Sequence, residues 1–297
     1  MAQATAMSSI AYAHYSLYDA LPRMAKRGFK KIEIGSFGSY CCHFNSGSPR
    51  PAELKKILAD YDIKPIALNW SNDTANAYGQ GAIQKSLDGY KHKIEDALEV
   101  GIPMMTMHFG AINDREDQAK QRQTAAEFYC KLGEYAHTCN MKMILELPHL
   151  YLVHHTTESV QELLDLVDLP NVGVLLDSSH WGVINYNLDA YLDMLGDRLW
   201  HIHLRDANPQ VDLAQHHQFI RPSMRGKKPY VLTLTPGSGT VDFAHLSKAL
   251  DRVDYQGDVT TEFEYFDMPL DEIERQYDAG LAHIHNCGWQ LPDTVSY

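Results

Sequence analysis

The feature of this chain that most constrains its fold is an apolar period that keeps switching between two and about 3.6 residues from one end to the other. In "SLYDALPRMAKRGF" the residues Leu17, Leu21, Met24 and Ala25 share a helical face, Ser16 and Asp19 stand at its start and Gly28 at its stop, and "KKIEIGSFG" then reads as a strand. The same alternation returns through "KPIALNW", "MMTMHFG", "MKMILELP", "NVGVLLDSSH", "WHIHLRDA" and "GDVTTEFEYF", each preceded by a helical stretch. With "SSIAYAHY" at the front there are eight strands, each followed by a helix. Such a pattern predicts a parallel sheet closed into a single (β/α)8 TIM barrel. An open doubly wound sheet is the alternative, but no G-x-G-x-x-G follows the first strand. No linker or composition break divides the 297 residues, so one domain over 1–297 is expected. An extended connection at about 206–240, between strand seven and helix seven, is read as a lid or a subunit contact.

The ends of the strands are polar. Glu33, Asn69, His108, Glu146, Asp177, His203 and Glu262 occupy equivalent positions in successive units, so they are expected to converge at one mouth of the barrel. Several carboxylates in one mouth would repel one another unless a cation compensated them. Glu146, Asp177, His203 and Glu262 are the expected metal ligands, and three carboxylates with one imidazole suit Mn2+, Mg2+ or Co2+ better than a structural zinc. Arg205 shares the strand face of His203 and is placed to clamp a substrate oxygen or to pair with a mouth carboxylate. His201, on the same face, recedes towards the interior. His108 and His149 are expected as a proton relay or leaving-group acid. Trp181, with Trp70 and Phe109, could wall a sugar ring. "TPGSGT" lacks the P-loop lysine and is read as the turn into helix seven.

Charge and cysteine usage narrow the options. Lys and Arg number 26 against 38 Asp and Glu, and a net charge of -12 opposes binding to nucleic acid. The five cysteines, Cys41, Cys42, Cys130, Cys139 and Cys287, contain no C-x-x-C and suggest neither a disulfide framework nor a thiolate zinc site. No run approaches the roughly 18 apolar residues of a membrane span, and the start lacks a secretory pattern, so a soluble cytoplasmic protein is expected.

The ordered segments "ILELPH", "VGVLLDSSHWGV", "HIHLRDA", "TPGSGTVDF" and "YQGDVTTEFE" resemble the xylose-isomerase-like barrel superfamily in its sugar phosphate isomerase/epimerase branch. That resemblance implies one divalent metal, Mn2+ above all, on Glu146, Asp177, His203 and Glu262, with Glu262 preferred over Glu264 on the same strand face. It also implies that Glu146 and Glu262 are the catalytic acid/base pair, that His180 contacts substrate, and that the chain forms a homodimer or homotetramer. The activity it implies is proton abstraction beside the carbonyl of a ketose or related polyol, giving isomerisation or epimerisation. The alternative is a lyase that dehydrates an inosose, a 3-keto sugar or a dehydroshikimate-like compound, with His108, His149 and His180 as proton donors and Arg221, Arg225, Lys227 and Lys228 as a possible anion contact. Apurinic-site endonucleases share the superfamily, but Asn69 stands where they need a histidine. A non-catalytic sugar-binding barrel is the remaining reading.

Overall fold

A computed structural model describes residues 1–37, 40–44, 50–71, 80–113, 116–209, 220–222, 229–265 and 268–293. Eight parallel strands close on themselves: Ala6–Ser8, Lys31–Phe37, Lys64–Ser71, Met104–Met107, Lys142–Glu146, Val172–Asp177, Leu199–Leu204 and Asp258–Thr261. Closure comes from the first strand, which pairs with the second (Met7 opposite Ile32) and with the eighth (Met7 opposite Thr261). The chain is therefore the (β/α)8 barrel that the alternation predicts.

The helices start where short polar side chains can accept the free N–H groups of a first turn. Ser16 caps Leu17–Lys26, Asp117 caps Gln118–Thr138, Thr156 and Ser159 form a reciprocal capping box on Thr157–Leu166, and Asp242 caps Phe243–Arg252. Gly28, with φ 78°, supplies the left-handed turn after the first of these. No helix among the described residues is long and apolar enough to cross a membrane.

Alternation along each strand positions the site. Outward side chains such as Leu145, Leu176 and Ile202 join the large core between sheet and helices. Inward ones in the lower barrel, Ala6, Ile66, Met104, Ile144 and Leu175, form a separate small apolar cluster. Two residues further on, the same inward faces carry Glu146 and Asp177, so a polar layer lies on top of a dry plug.

Three expectations shift. The first strand lies at Ala6–Ser8, ahead of the expected segment, because the Ser8 hydroxyl accepts from Ile10 N and starts a 3-10 turn at Ser9–Tyr12. The sixth strand stops at Asp177, whose carboxylate caps a short helix, Ser178–Ile184, so His180 and Trp181 are helical. In the long connection, Asp206–Asn208, Ile220–Pro222 and Pro229–Leu234 build a three-stranded antiparallel sheet. Arg225, Lys227, Lys228 and the Arg221 side chain lie outside the described residues.

Candidate metal centre

The polar layer is closely bonded. Adjacent strands bring Asp177 opposite His203, and His203 opposite Thr260, in register. One ligand atom each from Glu146, Asp177 and His203 falls within 4.8 Å of the others, all three side chains being buried. Glu262 follows the eighth strand, and its N–H still bonds to Leu204 O at 3.1 Å. Its Oε1 accepts from Asn69 Nδ2 at 2.8 Å, while its Oε2 lies 2.9 Å from His203 Nδ1. That last contact is close but not aligned as a hydrogen bond, and both atoms are buried with no hydrogen-bond partner. Burial pushes the Glu262 carboxyl up, against the pull of His203 and Arg205. Burial alone would lower His203, but Glu262 and Glu33 hold it well above the usual imidazole range.

Histidines surround Glu146. His108 Nε2 is 2.6 Å from Glu146 Oε2, and His180 Nε2 is 3.4 Å from Oε1. Leu150 N donates to His180 Nδ1 at 3.4 Å, which puts the proton of the neutral ring on Nε2, facing Glu146. The ring of His149 lies 4.0 Å from that of His180 and 5.8 Å from that of His108. Although burial works to raise it, the Glu146 carboxyl is held well below the ordinary range by these neighbours. Burial, then the nearby His180, drives His149 well down.

Arg205 sits among the acids. One end of its guanidinium pairs with Asp177, and the other reaches Glu264 Oε1 at 3.0 Å. Glu146 Oε1 and Glu262 Oε2 each lie 3.6 Å from it. Of the two readings from the sequence, the ion-paired one describes this arrangement. Glu264 was set aside in favour of Glu262, yet it lines the same space, and burial pushes its carboxyl up to about 7.

The neighbourhood also contains residues the sequence reading passed over. Ser179 donates its N–H (2.6 Å) and hydroxyl (2.7 Å) to Asp177 Oδ1 and accepts from Arg205 Nε at 3.0 Å. Asp206 accepts four backbone N–H bonds, from Ala207, Gly237, Gly239 and Val241, at 2.8 to 3.1 Å. "TPGSGT" is thus a cradle for this carboxylate as well as a turn: a Cβ at Gly239 would run into Asp206 and the Ala207 carbonyl. A glycine-rich run after a buried acid was the available signal. Trp181 is buried on the short helix that follows Asp177. Its indole N–H bonds Tyr186 O at 3.2 Å, and its ring meets His245 at 5.8 Å, so it packs in the helical layer.

A divalent cation fits this donor set. Glu146, Asp177 and His203 converge, Glu262 lies against His203, oxygen donors predominate, and two of the facing atoms, His203 Nδ1 and Glu262 Oε2, have no aligned hydrogen bond. Asp177 and Glu146 are oriented by the second row of contacts that metal ligands ordinarily have.

Comparison with known proteins agrees with this geometry. An inosose dehydratase from Clostridium perfringens (strain 13 / Type A) is 29% identical over 268 residues, covering 82% of this chain and 81% of the relative. Among solved structures, an IolI protein with a bound zinc atom superposes with a TM-score of 0.73 at 17% identity, over 94% of this chain and 96% of that one. D-psicose 3-epimerase from Clostridium cellulolyticum H10, solved with D-tagatose, gives 0.70 at 15% identity, over 95% and 98%. The family model of the xylose isomerase-like TIM barrel matches residues 21–287, and with the closed barrel and its strand-end acids this chain belongs to that family.

Proposed function

We propose that the chain is a divalent-metal-dependent lyase that dehydrates a polyhydroxylated ketone of the keto-cyclitol class. The observation that carries this reading is the unequal setting of the two glutamates: histidines crowd Glu146, whereas burial raises Glu262. An epimerase exchanges protons through two comparable bases, while a dehydratase needs one base and one separate acid. The similarity to inosose dehydratases supports the same choice.

In this reading Glu146, Asp177, His203 and Glu262 hold one ion, Mn2+ by donor type. Bound there, it would act as a Lewis acid on the substrate carbonyl. Glu262, oriented by the Asn69 bond to its Oε1, takes the proton from the carbon beside the carbonyl. The C–H electrons become the new C=C bond as the C–O bond at the next carbon breaks. His108, oriented by Glu146 and with its Nδ1 unpartnered, gives the departing hydroxyl a proton, and water leaves. His149, His180 and Arg205 line the substrate side. Glu262 and His108 then recover their starting protonation by exchange with solvent.

Epimerisation at the same carbon is the second reading, favoured by one observation: Arg205 stands 3.6 Å from both Glu146 and Glu262, so both acids border one space. Incubation of keto-inositols and ketohexoses with the Mn2+-loaded protein in D2O separates the two by mass. The dehydratase reading expects a product lighter by one water; an epimer of unchanged skeleton carrying carbon-bound deuterium would replace it with the second reading. Neither product, with the metal shown to be bound, would refute both.

A further inference from the structure

One of the four expected ligands, His203, also belongs to a completely buried triad with Glu33 and His201, two residues that the proposed reaction does not use. Glu33 Oε2 is 2.9 Å from His203 Nε2 and 3.1 Å from His201 Nε2, and none of the three side chains is exposed. His201 Nε2 also lies 3.0 Å from Thr260 Oγ1. A carboxyl group is more acidic than an imidazole, so in this contact the glutamate accepts and the ring nitrogens donate. Glu33 therefore retains the Nε2 proton of His203, so when the ring is neutral, as a metal ligand must be, Nδ1 is the lone-pair atom. It is Nδ1 that faces Glu262 Oε2 at 2.9 Å without hydrogen-bond alignment.

We propose that Glu33 is a positioning residue that fixes the tautomer of His203, so that Nδ1 and not Nε2 is presented to the cation. The inference rests on the metal-centre reading above. Its physical content is that an imidazole bound to a metal through one nitrogen is oriented and made more electron-rich by an acceptor at the other. An ionised glutamate, itself fully buried, is a stronger acceptor there than a neutral group would be. His201 shares the same oxygen and props it from below, which keeps the carboxylate from turning away. Glu33, His201 and His203 also have ligand atoms mutually close enough to hold an ion of their own. The contacts argue against that: His203 Nε2 is hydrogen-bonded to Glu33 and His201 Nε2 to Thr260, whereas His203 Nδ1 and Glu262 Oε2 have no such bond.

The test is Mn2+ binding by the full-length protein, measured calorimetrically for the wild type and for Glu33→Gln, which keeps the volume and a carbonyl acceptor but removes the charge. Loss of the second-row negative charge predicts a folded variant whose Mn2+ Kd rises about 10–100-fold, with one ion per chain in both proteins; a Kd within about threefold of wild type would overturn the proposal. Replacing Mn2+ by Co2+ gives a readout that a purely structural role would not move: the visible ligand-field band of the ion should shift in the variant. Should Glu33→Gln not fold, the wild type still decides the matter. With 15N-labelled histidine and Zn2+, His203 Nδ1 should move on metal addition while Nε2 stays protonated. Coordination through Nε2, or a second ion at Glu33, would refute the assignment. Failure of the wild type to bind Mn2+ at all would instead remove the metal centre and this inference with it.

Discussion

Replacing Asp206 by alanine should cost the protein a substantial part of its stability, because one carboxylate holds the whole "TPGSGT" turn. Its four N–H partners differ in their alternatives. Gly237 and Gly239 are exposed or half-buried and can turn to water, whereas the N–H groups of Ala207 and Val241 belong to buried residues. A buried donor without a partner costs about 1–3 kcal/mol, so the two together give about 4 kcal/mol. Removing the carboxylate also relieves its own burial, which brings the expected net loss to about 3 kcal/mol, against a typical total of about 5–15 kcal/mol. Asp206→Asn keeps one acceptor oxygen but turns an NH2 towards two of the donors, and should lose less than the alanine variant. Equilibrium urea unfolding at neutral pH measures both. A loss below about 1 kcal/mol for Asp206→Ala would show that the cradle contributes shape and not binding energy, and would refute the reasoning.

Other perturbations probe the charged layer. With metal removed by a chelator, Arg205→Met should lose about 3–5 kcal/mol by stranding Asp177 and Glu264, and Mn2+ at a hundred times its Kd should restore about 2.7 kcal/mol. A variant unfolding with the wild type in chelator would contradict this. Glu264 titrates near 7 when folded and near about 4.3 when unfolded, so between those values the native carboxyl keeps a proton that the unfolded chain has lost. The metal-free protein should therefore become less stable as pH rises through that window, by at most roughly 4 kcal/mol, and Glu264→Gln should flatten the slope. Unfolding free energies at about pH 5 and about pH 8 read this directly, and an unchanged slope in the variant would refute it. His108→Asn should suppress water loss from a keto-inositol more than deuterium exchange at the adjacent carbon, since it removes the acid and leaves Glu262 as base. Equal loss of both would assign His108 elsewhere.

Much of this layer was legible in the sequence, for a specific reason. A strand has period two and the βα unit repeats, so Glu146, Asp177, His203 and Glu262 could be put on inward faces at one level without any three-dimensional information. What lay beyond reach were contacts between side chains distant in the chain. Glu33 and His203 are 170 residues apart, and nothing local in "KKIEIG" says that its glutamate accepts from a histidine across the barrel. Arg205 could be put on the strand face of His203, but its pairing with Asp177 and Glu264 is a contact between distant segments that the pattern does not give. The helical setting of Trp181 was also out of reach, because "DSSH" reads as a continuation of the strand. Asp177 ends it by capping a helix, and that rotates the indole into the packing against His245. The first strand was displaced for a related reason: Ser8 turns the chain as soon as "AMS" has paired.

The central claim is that one divalent cation is held by Glu146, Asp177, His203 and Glu262. Crystals soaked in Mn2+ and measured at a wavelength where manganese scatters anomalously test it most directly. The account predicts a single strong peak bounded by those four side chains, with His203 Nδ1 towards it. A peak among His108, Glu146 and His149, a peak among Glu33, His201 and His203, or no peak in the barrel mouth would contradict it.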